Sequence, residues 1–283
     1  MKQTRPSRTS DIPSIMRAVH QTLDGEPKIL ADPIVAKLVD VDTLEPSWLT
    51  PILGHPFAKQ WRAGFLVRSR YAEDCLAAAA VRGVSQYLIL GAGLDTFAYR
   101  QPGWAATIHI FELDHPATQS FKRERLAKSN IAPPGNLTFL PIDFETTSLR
   151  QVLSGTKFRF DHATFCAWLG VTQYLTDSAI DATLTFLLSL PRGSEIVFSF
   201  ILPQEDLSGV EADAVATAVR KSAEVGEPWL SRFRPPELIA RLRRMGFSEV
   251  FHFTPEEADA RYLKDRQDGL TGRHGEQSMR AVV

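Results

Sequence analysis

A glycine-containing stretch at residues 88–100, LILGAGLDTFAYR, carries the clearest chemical signal in the chain. An apolar run leads directly into Gly91 and Gly93, and a helix-forming pattern follows. A Cβ at such positions would block both a tight turn and the close approach of a ligand to the backbone. The pattern indicates a cofactor-binding loop. Because two glycines also occur in ordinary turns, a second feature is needed to support it.

An acidic residue ends the next apolar run, whose last four residues read FELD. Asp114 follows Gly91 by 23 positions, near the separation of about 20 residues at which a carboxylate reaches ribose hydroxyls in nucleotide-binding sheets. The structural alternative is that Glu112 and Asp114 end a strand and cap a helix that begins at Pro116. The two interpretations are compatible, since one carboxylate can serve both purposes.

The loop departs from the dinucleotide-binding pattern Gly-x-Gly-x-x-Gly, because Thr96 stands at the third glycine position. A closely packed pyrophosphate site is therefore disfavoured. No Tyr-x-x-x-Lys pair or poised histidine indicates hydride transfer, which also disfavours a nicotinamide oxidoreductase. S-adenosylmethionine (SAM) has no phosphate to bind, so the loop favours SAM as the cofactor.

A further acidic residue lies in PIDF, residues 141–144, at the end of the third apolar run. In a parallel sheet this position brings Asp143 to the same carboxyl edge as Asp114. Asp143 is a candidate acceptor for an adenine amine, and Phe144 a candidate backbone or ring contact. An aspartate after a strand is equally typical of a helix N-cap.

The elements that must position these residues follow from the apolar pattern. Up to about Gly83 the chain has helical spacing with Pro and Gly interruptions at Pro33, Pro46, Pro51, Gly54 and Pro56, and it contains a long helix at 60–81. Thereafter short apolar runs alternate with stretches long enough for crossover helices, which predicts a mostly parallel α/β sheet. The runs are Tyr87–Leu90, Thr107–Leu113, Leu137–Leu140, Ala163–Ala167 and Glu195–Ile201. Glu249–Phe253 and Met279–Val283 are expected to form a terminal antiparallel pair after a helix at Pro236–Met245.

The composition limits the partners. Of 283 residues, 44% are hydrophobic and 23% charged, and the net charge of −1 gives no field that favours nucleic acid or an anionic membrane. Cys75 and Cys166 lie far apart and form no metal-ligand spacing. The chain has no run of about 20 apolar residues and no apolar leader. We expect a cytoplasmic protein with a small-molecule partner, no nucleic-acid or membrane partner and no metal. The sequence does not indicate an oligomeric state.

Six motifs carry a family resemblance: SRT near the start, ILADPIVAKL around residue 30, RSRYAEDCL from Arg68, LGAGLDTFAYR, FELDHPATQSFKRERL, and AWLGVTQYLT from Ala167. Together they resemble the leucine carboxyl methyltransferase-like family of class I SAM-dependent methyltransferases, over nearly the whole chain. The resemblance implies a Rossmann-like sheet at 84–283 preceded by a helical lid at 1–83, together one structural unit.

The resemblance also implies site residues. It places Gly91 and Gly93 under SAM and Asp114 on the ribose, and it matches Asp143 and Phe144 to the pair that contacts the adenine.

In the same way the resemblance matches Arg70 to an arginine that pairs with the methionine carboxylate, a contact suited to a guanidinium. A surface cation on a helix is the alternative for Arg70. Leu169 stands where the leucine carboxyl methyltransferases proper have a glutamate that faces the SAM amino group. This departure weakens the inference that the substrate is a protein C-terminus.

We therefore predict a SAM-dependent O-methyltransferase that acts on a carboxylate or hydroxyl of a small metabolite. A carboxyl methyltransferase of a protein or peptide C-terminus and a SAM-binding protein without turnover stay open as alternatives. Tyr99, Arg100 and Tyr174 are candidates for shaping the acceptor pocket, and His115 is better explained as the start of a helix. No catalytic base is identified.

The segment from Gln204 to Glu227 has acidic residues early and basic residues late, a distribution that suits a helix dipole. A solvated helix face explains it. Because it follows the run that ends at Ile201, we also expect it to cover the acceptor site and to contribute to selectivity.

Overall fold

The computed structural model describes residues 11–39 and 53–283, which form a seven-stranded sheet with helices around it. The strands lie in the order β3-β2-β1-β4-β5-β7-β6, and β7 runs antiparallel to both of its neighbours. The remaining pairs of this sheet are parallel. The strands are β1 Gln86–Leu90, β2 His109–Asp114, β3 Leu137–Pro141, β4 Thr164–Trp168, β5 Glu195–Ile201, β6 Glu249–Phe253 and β7 Glu276–Val282.

The α/β fold class predicted from the sequence is confirmed, and each predicted strand is present. The expected antiparallel pair forms between β6 and β7. The antiparallel strand, β7, is second from the edge of the sheet, because it lies between β5 and β6. β7 begins at Glu276, three residues before the predicted apolar run, because the polar residues at its start pair with residues of β5.

The helices follow the strands as the alternation predicts. The long helix expected at 60–81 starts slightly earlier and is followed by Gly83, whose φ of +94° is the left-handed conformation typical of a helix C-terminus. The segment expected to be helical at 204–227 is a 3₁₀ turn, Gln204–Asp206, and then a helix. The helices are α1 Asp11–Leu23, α2 Pro33–Leu38, α3 Ala58–Val81, α4 Phe97–Arg100, α5 Pro116–Lys128, α6 Leu149–Leu153, α7 Asp177–Leu188, α8 Gly209–Glu224, α9 Pro235–Met245 and α10 Pro255–Ala258.

Both faces of the sheet are covered, so successive residues of the central strand are all buried. In β1, Leu88 and Leu90 face one cluster, whereas Tyr87 and Ile89 face another, as the period of two in a strand requires. The second cluster also contains Ile29 and several residues of α3. Helix α3 and the sheet thus share one core, whereas α1 and α2 contribute to a smaller cluster that includes Leu94 of the glycine loop. A division at residue 83 stays a prediction.

The SRT motif at 7–9 and the prolines Pro46 and Pro51, named above from the sequence, lie outside the described residues. In the part of the chain that the structure describes, no helix has the length and apolar character needed to cross a lipid bilayer.

A buried carboxylate connects the N-terminal helices to the glycine loop. Asp32 is fully buried and caps α2, since its Oδ1 accepts from the Val35 amide at 2.9 Å. Its Oδ2 accepts from the hydroxyl of Thr96 at 2.6 Å, and the guanidinium groups of Arg17 and Arg100 lie 3.4 and 3.5 Å away. Thr96, in place of a third glycine, therefore has a structural partner in the N-terminal region.

We predict that Asp32→Ala lowers the free energy of unfolding by about 3–5 kcal/mol, because it removes a buried carboxylate and leaves the buried guanidinium of Arg17 without this partner. Urea unfolding followed by circular dichroism measures this. Asp161→Ala is the control, since Asp161 pairs with Arg159 at the surface and exposed pairs contribute little. Equal stability of the two variants would contradict the role assigned to Asp32.

Candidate functional site

The glycine loop connects β1 to α4 and is closely packed. Gly91 and Gly93 have φ values of +65° and +49°, which residues with a Cβ rarely adopt. The amides of Gly91 and Ala92 both donate to the carbonyl of Leu113, at 2.8 and 3.2 Å. A Cβ on Gly91 would lie 2.3 Å from Cγ2 of Val171, which follows β4. Both the backbone conformation and the available space therefore require glycine at this position.

Asp114 lies beside this loop at the end of β2. Its Oδ2 accepts from the Gly93 amide at 2.5 Å, and its Oδ1 from the His115 amide at 2.6 Å. Burial raises the pKa of Asp114, while the two amides act in the opposite direction. The structure thus brings Gly93 and Asp114 together and holds the carboxylate in one orientation.

Asp143 and Phe144 lie on the neighbouring strand end. The amide of Ile142 donates to the Asp114 carbonyl at 2.8 Å, which continues the β2–β3 pairing up to Asp143. The Asp143 carboxylate accepts from the Glu145 amide at 3.0 Å and so starts a turn. The ring of Phe144 lies 6.4 Å from that of Trp168 at the end of β4. The structure therefore places both residues at the carboxyl edge, next to Asp114.

Arg70 is not brought to this edge. It is exposed on α3, and its Nε donates to Asp74 at 2.8 Å, four residues later on the same helix. The match of Arg70 to the family's carboxylate-binding arginine stays a prediction. The contact with Asp74 supports the alternative, that Arg70 is a surface cation on a helix.

Arg68, two residues earlier, lies at the edge instead. Its Nη2 is 2.7 Å from the position that a Cβ on Gly170 would occupy, and its guanidinium pairs with Glu276. Burial lowers the pKa of Arg68 to about 10. Arg68 was not predicted as a site residue. Because α3 buries residues around most of its axis, the periodicity of the sequence does not show which arginine faces the sheet.

The other candidates named from the sequence have structural contacts. Arg100 donates to Glu73 and to Thr96, so its charge is already paired. His115 is the N-cap of α5, where its Nδ1 accepts from the Ala117 amide at 3.3 Å. Tyr174 packs edge-to-face on Trp229, with ring centroids 6.4 Å apart.

Tyr99 differs from these candidates, because its hydroxyl is buried and has no hydrogen-bond partner among the described residues. The ammonium of Lys122 lies 5.6 Å from the centroid of its ring.

A cleft opens at the same edge of the sheet, beside β7. Ile201 at the end of β5 pairs with Glu276 at the start of β7, which places the cleft at the carboxyl ends of the parallel strands. We call it the edge cleft. Its lining includes Val67 and Arg68 of α3, Phe253 and Thr254 at the end of β6, and Arg273 and Glu276.

Comparison with known proteins shows the family to which the chain belongs. The sequence model of the leucine carboxyl methyltransferase family matches residues 12–188. The chain belongs to this family. It is a SAM-dependent methyltransferase, and SAM is its cofactor.

Relatives of the methyltransferase agree with this assignment. YktD of Bacillus subtilis (strain 168), which bears the provisional name of a SAM-dependent methyltransferase, is 34% identical over 207 residues, 73% of this chain and 68% of YktD. A similarly named protein of Mycolicibacterium gilvum (strain PYR-GCK) is 32% identical over 164 residues, 56% of this chain. The matched region spans only 51% of the latter protein's own length.

Solved structures support the fold. A protein of Thermobifida fusca YX, provisionally named a methyltransferase, aligns over 99% of this chain and 96% of its own, with a TM-score of 0.59 at 18% identity. A DUF574 family protein from Streptomyces avermitilis MA-4680 aligns over 98% and 97%, with a TM-score of 0.58 at 14% identity.

We predict that Gly91→Ala weakens binding of S-adenosylhomocysteine, the demethylated product, by at least about tenfold, because the added methyl collides with Val171 and strains the loop. Calorimetric titration measures the affinity. Gly103→Ala is the matched control, since a Cβ there meets nothing within 4 Å. Unchanged affinity in a folded Gly91→Ala protein would show that the cofactor does not lie on this loop.

Proposed function

We propose that the enzyme transfers the methyl group of SAM to a carboxylate or hydroxyl oxygen of a small metabolite. The observation that carries the proposal is the edge cleft, whose lining includes Arg68, the arginine that lies against Gly170 after β4. The guanidinium groups of Arg68 and Arg273 in this lining suit an acidic acceptor. Cytoplasmic localisation stays a prediction within this proposal.

The residues of the loop fit the cofactor. Gly91 and Gly93 themselves carry no Cβ that would keep a ligand from the backbone. Asp114 is the proposed acceptor for the ribose hydroxyls, through a half-buried carboxylate whose orientation the amides of Gly93 and His115 fix. Asp143 and Phe144 are the proposed adenine contacts. When bound, SAM supplies a methyl group on a positively charged sulfur. The protein then has to align the acceptor oxygen with that methyl and to exclude water.

A carboxylate acceptor needs no base, whereas a hydroxyl acceptor must lose a proton. No catalytic base is assigned among the described residues at this edge. Methylation of a protein C-terminus is the second candidate, since the family is named for it. Against this candidate, Leu169 stands where the leucine carboxyl methyltransferases proper have a glutamate.

Titration with S-adenosylhomocysteine tests the cofactor site and separates the two arginines of α3. We expect binding by the unmodified protein, a loss of at least about tenfold in Asp114→Ala, and a loss in either Arg68→Ala or Arg70→Ala, depending on which guanidinium holds the methionine carboxylate. The position of Arg68 beside Gly170 favours Arg68. No binding by the folded, unmodified protein would overturn the proposed site.

An acceptor screen with labelled SAM, covering carboxylic acids, phenols and peptides with free C-termini, tests the reaction. Transfer to small acids or phenols supports the proposal. Transfer to peptides alone would establish the second candidate, and cofactor binding without any transfer would favour a SAM-binding protein.

We also predict that the affinity for S-adenosylhomocysteine falls as the pH is lowered toward the pKa of Asp114. An ionised carboxylate accepts both ribose hydroxyls, whereas protonation removes acceptor capacity. Because burial raises this pKa above the ordinary value of 3.8, the fall begins at a higher pH than for an exposed aspartate. Titrations at several pH values should show this slope in the unmodified protein and a flatter one in Asp114→Asn. Parallel slopes would exclude Asp114 as its origin.

A further inference from the structure

A buried amide side chain lies in the loop that follows β4. Gln173 belongs to a 3₁₀ turn at Thr172–Tyr174 and is 5% exposed. Its Nε2 donates to the carbonyl of Gly170 at 3.2 Å. Because that carbonyl can only accept, the NH2 of the amide must face it, which leaves Oε1 as an acceptor directed elsewhere. The Oε1 atom is buried and has no hydrogen-bond partner among the residues that the structure describes.

The turn that carries this side chain is held in place by its backbone and by a neighbouring hydroxyl. The carbonyl of Gln173 accepts from the amides of Leu230 and Ser231, at 2.6 and 3.3 Å. The hydroxyl of Thr172 donates to the carbonyl of Ser199 on β5 at 2.8 Å. A buried acceptor that stays without a donor is costly. A loop that holds one in a fixed position therefore indicates a donor supplied by a bound molecule.

The same loop contacts two parts of the proposed cofactor site. Val171 lies against the glycine loop, where a Cβ on Gly91 would be 2.3 Å from its Cγ2. Arg68 lies against Gly170, with its Nη2 2.7 Å from the position of an added Cβ. The Gln173 amide, bonded to the Gly170 carbonyl, thus lies in the loop that connects these two contacts.

The strand order β3-β2-β1-β4 determines which part of SAM can reach this loop. The proposed adenine contact Asp143 follows β3, the proposed ribose contact Asp114 ends β2, and the glycine loop follows β1. A cofactor extended along this edge brings its methionine end to the loop after β4. SAM offers N–H or O–H donors at the adenine amine, the ribose hydroxyls and the methionine ammonium. Because the first two are assigned to β3 and β2, the ammonium is the donor left for Oε1 of Gln173.

We propose that Gln173 binds the ammonium group of the methionine part of SAM through Oε1. This inference rests on the proposed function, since it adds a residue to the same cofactor site. A hydrogen bond with an ionised donor is stronger than one between neutral groups. Leu169, before Gly170, has an apolar side chain that offers no acceptor. The neutral amide accepts from the ammonium without competing with the methionine carboxylate for Arg68.

The test compares S-adenosylhomocysteine with its des-amino analogue, S-adenosyl-4-thiobutyrate, by calorimetric titration. The analogue keeps the carboxylate and has a hydrogen in place of the amino group. We expect the unmodified protein to bind S-adenosylhomocysteine at least about tenfold more tightly than the analogue. Gln173→Met, which keeps an unbranched side chain without the amide, should abolish most of this preference. Gln173→Glu, which keeps an acceptor oxygen, should retain it.

The ratio of the two affinities is the informative quantity. Gln173→Met also removes the donor to the Gly170 carbonyl, but an effect on the loop alone weakens both ligands by the same factor. Gln204→Met is the control, because Gln204 is an exposed glutamine on the turn after β5, and it should leave both affinities unchanged.

The outcomes separate this inference from the proposed function. If the unmodified protein binds both ligands equally, the ammonium is not recognised and the inference fails while the cofactor site stands. If Gln173→Met weakens both ligands by one factor, or if Gln173→Glu loses the preference, the glutamine only supports the loop and the inference also fails. If the folded, unmodified protein binds neither ligand, the proposed cofactor site itself is wrong. A loss confined to S-adenosylhomocysteine is the result that a merely structural glutamine would not give.

Discussion

The glycine loop depends on a buried carboxylate from a distant part of the sequence. Asp32 binds the hydroxyl of Thr96, five residues after Gly91, and Arg17 donates to the carbonyl of Leu94 at 2.6 Å. Ionic groups removed from water in this way add little net stability, and their value lies in specifying one arrangement. Here the specified arrangement is the path of the loop. Thr96 therefore has a positive role: its hydroxyl holds the loop to the N-terminal helices.

The order of the strands explains why the glycine loop and the edge cleft lie at the same edge of the sheet. β1 and β4 are adjacent and parallel, so the loops after them meet at one edge, as in other open α/β sheets. Gly91 and Gly170 both have positive φ, and each is touched by a side chain from another segment, Val171 and Arg68 respectively. Adding the antiparallel β7 beside β5 then brings Glu276 to the same edge.

Local patterns predicted much of this fold, and long-range contacts account for what they missed. The loop at Gly91 and Gly93 and the acidic end of β2 are each encoded within a few residues. The start of β7 was missed because its first residues are polar and acquire a partner only from β5. Arg68 and Glu276 are 208 positions apart, so no motif could join them, and the choice between Arg68 and Arg70 required knowing how α3 is rotated against the sheet.

The contact between α8 and the segment before β7 bears on how the acceptor preference of this fold can vary. Glu211 binds backbone amides at His274 and Gly275, and a Cβ on Gly275 would lie 3.0 Å from its Oε1. Because this contact constrains the backbone and not the side chains, it holds Arg273 in place without requiring an arginine there. That α8 contributes to selectivity stays a prediction. In its favour, the helix fixes a segment that lines the edge cleft at Arg273, so residue 273 can change while the path of the chain is kept.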